Sequence, residues 1–139
     1  MDPVLIDKLE QFFSSDGGEI YRGSPASQEQ INDAERRLGV KFDNDYAEFL
    51  RRYGGSFAGA PIYGFNNSAM LEEVDVVELT MRFRADRWPE AAHSYVISMD
   101  MSGNPVMMDT DGKVFTYDHD SAETRTLSES FSAFLSDVL

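Results

Sequence analysis

The chain has 139 residues, of which 42% are hydrophobic and 12% aromatic, no cysteine, and a formal charge of -13. A length of this order suits one domain and allows about 68–70% of the unfolded surface to be buried, while the missing cysteines exclude disulfides, thiolate metal sites and cysteine nucleophiles. The acidity repels phosphate and anionic lipid, so nucleic acid and membrane are expected to be no direct partners, and a basic protein is favoured instead.

The charge is uneven. Residues 1–65 carry 7 basic and 11 acidic side chains, residues 66–139 carry 5 and 14. The opening MDPVLIDKLEQFF has no basic leader and too short an apolar run for a signal peptide or a membrane span, so a cytoplasmic chain is expected. Within it Leu5, Leu9, Phe12 and Phe13 fall at helical spacing, and SSDGG ends the segment. A second helix is predicted after Ser27, with Gln30 completing a capping box, Ile31, Ala34 and Leu38 forming the apolar line and Gly39 the stop. Asp43 caps a third, whose apolar face is Tyr46, Phe49, Leu50 and Tyr53, and Gly54 stops it.

SFAGAPIYGF predicts short, irregular strands around Phe57 and from Ile62 to Phe65. Val76, Leu79, Thr80 and Phe83 predict a helix over about Asp75 to Arg84, ending ahead of Pro89. At the far end Thr126 and Glu129 read as a capping box before Phe131, Phe134, Leu135 and Val138. Helices first, then strands, then a helix: the order predicts an α+β fold, one domain over 1–139, with a mainly antiparallel sheet flanked by helices.

The stretch SMDMSGNPVMMDTDGKVFTYDHD holds five aspartates. Placing Gly112 at the sixth position of a calcium loop puts Asp109, Asp111 and Asp118 at ligand positions, but Met107 falls at the first and has no ligand to give. No metal site is expected. Taking Gly103-Asn104 and Asp111-Gly112 as two-residue turns instead yields a three-strand meander, with Met99 facing Met108, Met101 facing Val106, Met108 facing Phe115 and Val106 facing Tyr117. That register predicts one apolar face and one polar face bearing Ser98, Asp100, Met107, Asp109, Val114, Thr116 and Asp118. His93 and His119 are the only histidines, and no HExxH, GxSxG, phosphate-loop or dinucleotide motif occurs. No enzyme, catalytic residue or cofactor is expected from these patterns.

IndaErrLGvkFdnDYaeFLrryGG followed by IYGF, the aspartate-rich stretch and a closing SFSAFL resembles the SUKH superfamily, which includes yeast cell-wall-synthesis regulators and many bacterial toxin-immunity proteins. The resemblance runs from about Ser27 to Leu135. Asp43 and Tyr53 depart from it, since such sequences often have Pro and Asn there. The resemblance implies a non-enzymatic α+β binding module, and in bacteria an immunity protein that neutralises a cognate protein toxin, often a basic nuclease. The contacts expected on this reading are Asp100, Asp109 and Asp118 on an exposed polar sheet face, Glu72, Glu73 and Asp75 in the preceding loop, and Tyr63 as an aromatic anchor. The alternatives are a scaffolding adaptor for an endogenous partner and, as a check, a hydrolase using the aspartates. Oligomeric state is left open by the sequence.

Overall fold

The computed structural model describes residues 1–139. Helix α1 (Pro3–Ser14) begins where the Asp2 carboxylate accepts from the Val4 amide, with proline at the first helical position, where the missing N–H costs nothing. Helix α2 (Gln28–Leu38) has the expected capping box, Ser27 Oγ accepting from the Gln30 amide and Gln30 Oε1 from the Ser27 amide. It ends on Gly39 at φ 68°, a left-handed position that glycine occupies without strain. Helix α3 (Asn44–Tyr53) starts on Asp43, whose Oδ2 accepts from the Asp45 and Tyr46 amides. These three helices stand where the sequence puts them.

Two short strands, β1 (Ser56–Phe57) and β2 (Pro61–Ile62), form a small antiparallel pair. The second is shorter than expected, since residues 63–65 leave the ladder. Helix α4 (Val76–Ala85) agrees with its expected span to within a residue, and Asp75 caps it by accepting from the Glu78 amide at 2.8 Å.

The main sheet has four antiparallel strands in sequential order: β3 (Tyr95–Met99), β4 (Pro105–Met108), β5 (Val114–Asp118) and β6 (Glu123–Ser128). Its register differs from the expected one. Met108 lies opposite Val114 and Met107 opposite Phe115, while Ser98 pairs with Val106 and Met99 with Pro105. The cause is turn chemistry. Each turn is a three-residue loop that opens on an aspartate: Asp100 Oδ1 accepts from the Ser102 and Asn104 amides, and Asp109 Oδ1 from the Asp111 and Lys113 amides. Gly103 and Gly112 close the loops at φ 83° and 86°. One extra loop residue moves β4 against β5 by one position, and alternate side chains change faces.

Both faces of the sheet are therefore apolar, and the polar face expected from the sequence does not exist. Tyr95, Ile97, Val106, Met108 and Val114 join the larger core with α1, α2, α3 and the last helix, α5 (Phe131–Val138). Val96, Met107 and Phe115 turn the other way and meet Leu79 and Phe83 of α4 together with Leu71 and Val74. Met107 and Val114 are fully buried, and Ser98 and Thr116 nearly so. Covering the second face is what a sheet with apolar residues on both sides requires.

Thr126 belongs to β6, a strand the sequence reading missed, and the cap of α5 is Ser130, whose Oγ accepts from the Ala133 amide at 3.1 Å. Arg84 ties the layers together: its guanidinium donates to the carbonyls of Leu38, Ala91 and Ser94 at 2.9, 2.9 and 3.1 Å. Burial pushes its pKa down from the ordinary arginine value.

Candidate functional site

Gly54 and Gly55 mark a crossing of three backbone segments. A Cβ on Gly54 would lie 1.9 Å from the Ser24 carbonyl oxygen, and one on Gly55 would lie 1.8 Å from Asn67 Oδ1. Only glycine fits. The Gly55 amide donates to the Phe65 carbonyl and its own carbonyl accepts from the Ser68 amide, which fixes the path of residues 65–68. Asn67 extends the tie by donating to the Val74 carbonyl at 2.7 Å, and Ser68 Oγ donates to the Ile20 carbonyl at 2.6 Å.

The loop so fixed forms one wall of a cleft of about 590 Å³, and the first turn of α4 forms the other. Asn66, Asn67 and Ser68 line one side, and Glu73, Asp75 and Glu78 the other, with Leu71 and Val74 also in the lining. Three carboxylates thus share a concave site with no basic side chain in its lining. Asp75 is occupied as the cap of α4, where the helix N-terminus favours its negative charge. Glu73 and Glu78 are exposed and make no ion pair, so a cation brought into the cleft would meet two carboxylates whose charge no internal partner neutralises. Because the walls are held by backbone and amide hydrogen bonds, little ordering would be needed on binding.

The sequence-predicted contacts fall into separate places. Glu73 and Asp75 line the cleft, while Glu72 is outside its lining and pairs with Arg82 at 3.2 Å. Tyr63 is only 5% exposed and packs beneath, with Leu71, Val74 and Leu79. Its carbonyl accepts from the buried Tyr46 hydroxyl at 2.7 Å, and burial raises its own phenol pKa. Asp100 and Asp118 sit at one end of the sheet and Asp109 at the other, so the three do not form one row. All three are half-buried, Asp100 and Asp109 at the start of their loops and Asp118 at the end of β5, where its Oδ1 accepts from the Asp120 amide. At the Asp100 end, buried Asn104 donates to Asp100 Oδ2 and accepts from the His119 amide at 3.1 Å, joining the two turns.

No group of three or more His, Asp or Glu side chains gathers as a metal-ligand set. Glu78 and the Asn66–Ser68 wall were not singled out in the sequence. Glu78 was legible as an acid one turn after a capping Asp75, but the asparagine wall depends on contacts with residues 20–25 and 55 that no local pattern announces.

Together these features define an α+β domain whose sheet is covered on both faces and whose principal cleft is acidic. The chain belongs to the SUKH family: the family described as SMI1-KNR4 cell-wall matches residues 4–139. It is also similar to YnaB, a protein of Bacillus subtilis (strain 168), at 55% identity over 52 residues. That stretch is 36% of this chain and 36% of the relative, so the match spans about a third of either protein. No helix is long and apolar enough to cross a membrane.

Proposed function

We propose that this chain is a non-enzymatic immunity protein, acting in the cytoplasm as one module over residues 1–139, that binds a cognate basic toxin domain and blocks it. The observation that carries the reading is the cleft beside α4, where Glu73 and Glu78 stand without cationic partners on a pre-formed wall. SUKH membership supports a protein-binding role, and the charge of -13 supports a basic partner. A nuclease domain, which must hold phosphate, has the complementary charge. Among the other expected contacts, Glu72 and Asp75 belong to the same region, Asp100 and Asp118 offer a second acidic end, and Asp109 lies at the opposite end of the sheet. Tyr63 supports the cleft floor from below rather than reaching a partner.

The test is co-expression with the toxin domain encoded beside this chain's gene, followed by a pull-down. Protection of the cells and a stable complex are expected, and the Glu73→Lys/Glu78→Lys double variant is expected to weaken the complex while staying folded. No protection together with no complex overturns the reading. The family's cell-wall description favours one alternative, a regulatory adaptor that recruits an endogenous protein. Capture of a protein of the host's own cell-wall machinery, without any protection from the toxin, would favour that alternative.

A further inference from the structure

The two edges of the main sheet are unlike. Beyond β3, the Tyr63 amide donates to the Ile97 carbonyl at 2.8 Å, and the Val96 amide donates to Thr80 Oγ1 of α4 at 2.9 Å. That edge is closed. Beyond β6 there is no further strand, and Glu123, Thr124, Arg125 and Thr126 are all exposed.

The ladder shows which backbone groups that edge presents. The Asp109 amide donates to the Lys113 carbonyl, which makes this pair a hydrogen-bonded one. Alternation along an antiparallel pair then gives Met107 and Phe115 the next bonded pair, and turns the polar groups of Thr116 and Asp118 toward β6. Their partners there are Arg125 and Glu123. The N–H and C=O of Thr124 and Thr126 consequently point away from the sheet, at the open edge. No proline interrupts β6, and its one extra residue, Leu127 between Thr126 and Ser128, lies past the regularly paired run of residues 123–126, so over that run charge is the device that blunts the edge.

The charge is of one predominant sign. Asp118, Asp120, Glu123 and Glu129 surround the strand, and Glu90 and Asp109 share a surface depression with Thr124 and Thr126, against two cations, Arg125 and Lys113. On the α4 side, Tyr117 lies opposite Thr124 and its ring meets that of half-buried Trp88 at 6.0 Å between centroids, giving the edge an aromatic shelf.

We infer that the β6 edge accepts an added β-strand from the partner, an extended segment carrying basic side chains, with Thr124 and Thr126 supplying the main-chain hydrogen bonds. This rests on the immunity reading above and adds a mode of contact separate from the cleft.

The probe is the toxin domain encoded beside the gene. Thr124→Pro removes one outward N–H that the fold does not use, a position where edge strands tolerate proline, whereas Thr124→Ala keeps it. The proline variant is expected to bind about tenfold or more weakly and the alanine variant within about twofold of wild type. In the wild-type complex, hydrogen exchange at the Thr124 and Thr126 amides is expected to slow. Equal binding by Thr124→Pro, or unchanged exchange at both amides in the complex, overturns the inference while leaving the immunity reading standing. Absence of any wild-type complex removes the immunity reading and this inference with it. A wild-type dimer in sedimentation that Thr124→Pro dissolves assigns the edge to a second copy of this chain and likewise overturns the inference.

Discussion

Besides Tyr63, three tyrosines bring phenol groups into the interior, and burial favours the neutral form of each. Tyr46, fully buried, donates to the Tyr63 carbonyl and so links the larger core to the floor of the cleft. Tyr95 accepts from the Asp43 amide at 2.9 Å, which ties the start of α3 to β3. Tyr53 donates to Glu10 on α1 at 3.0 Å. Burial raises all three pKa values, with Tyr53 pushed up to about 12 by desolvation and then by Glu10. An unfolded tyrosine ionises near 10. Below that pH both states are neutral and the contribution to stability is complete. As pH rises past it, the unfolded chain loses protons first, and stability falls until the folded phenols ionise too. Thermal unfolding midpoints are therefore expected to be flat to about pH 9.5 and to fall beyond it, with a shallower fall in Tyr53→Phe. A Tyr53→Phe midpoint that follows wild type across the alkaline range would show that this phenol is not held neutral by the fold.

At the scale of elements, what could be read from the sequence depended on whether the controlling interaction was local. The starts of α2 and α3 were legible because Ser27 with Gln30, and Asp43, carry their caps within three residues. The meander was legible as three strands, but its register was not, because the loops close through aspartate side chains earlier than a glycine-centred turn suggests, by one residue at Asp109 and two at Asp100. β6 was hidden for a different reason: Thr124, Arg125 and Thr126 are exposed on an edge strand, so no apolar alternation marks it. The same chemistry gives a prediction. Asp109→Ala removes an acceptor used by two amides and should cost about 1 kcal/mol of stability, comparable with a lost cap. Asp109→Asn keeps the Oδ1 acceptor, removes the charge, and should stay within about 0.5 kcal/mol of wild type in urea denaturation. If both variants lost the same stability, the carboxylate charge rather than the turn geometry would be what holds the loop.

For the whole molecule the dominant quantity is the charge of -13, carried more heavily by residues 66–139 than by the first half. Self-repulsion of that size works against compactness, and the fold offsets it by placing acids where amides receive them: Asp43 and Asp75 at helix starts, Asp100 and Asp109 in turns. Glu73 and Glu78 have no such use, so the cleft they line is one place where the surplus charge can act on a partner. Long-range attraction between an acidic protein and a basic one speeds encounter and is screened over about 8–10 Å at physiological salt. Association with the toxin domain should accordingly slow by about tenfold or more between low salt and about 0.5 M, while dissociation changes less. Glu73→Gln/Glu78→Gln should flatten that salt dependence without affecting hydrogen exchange at Thr124 and Thr126 in the complex, because the cleft supplies charge and the edge supplies main-chain pairing. Stopped-flow association rates over a salt series measure the first effect directly. Rates indifferent to salt would mean that the partner is recognised by shape and apolar contact, and that the acidity of the cleft has no part in capture.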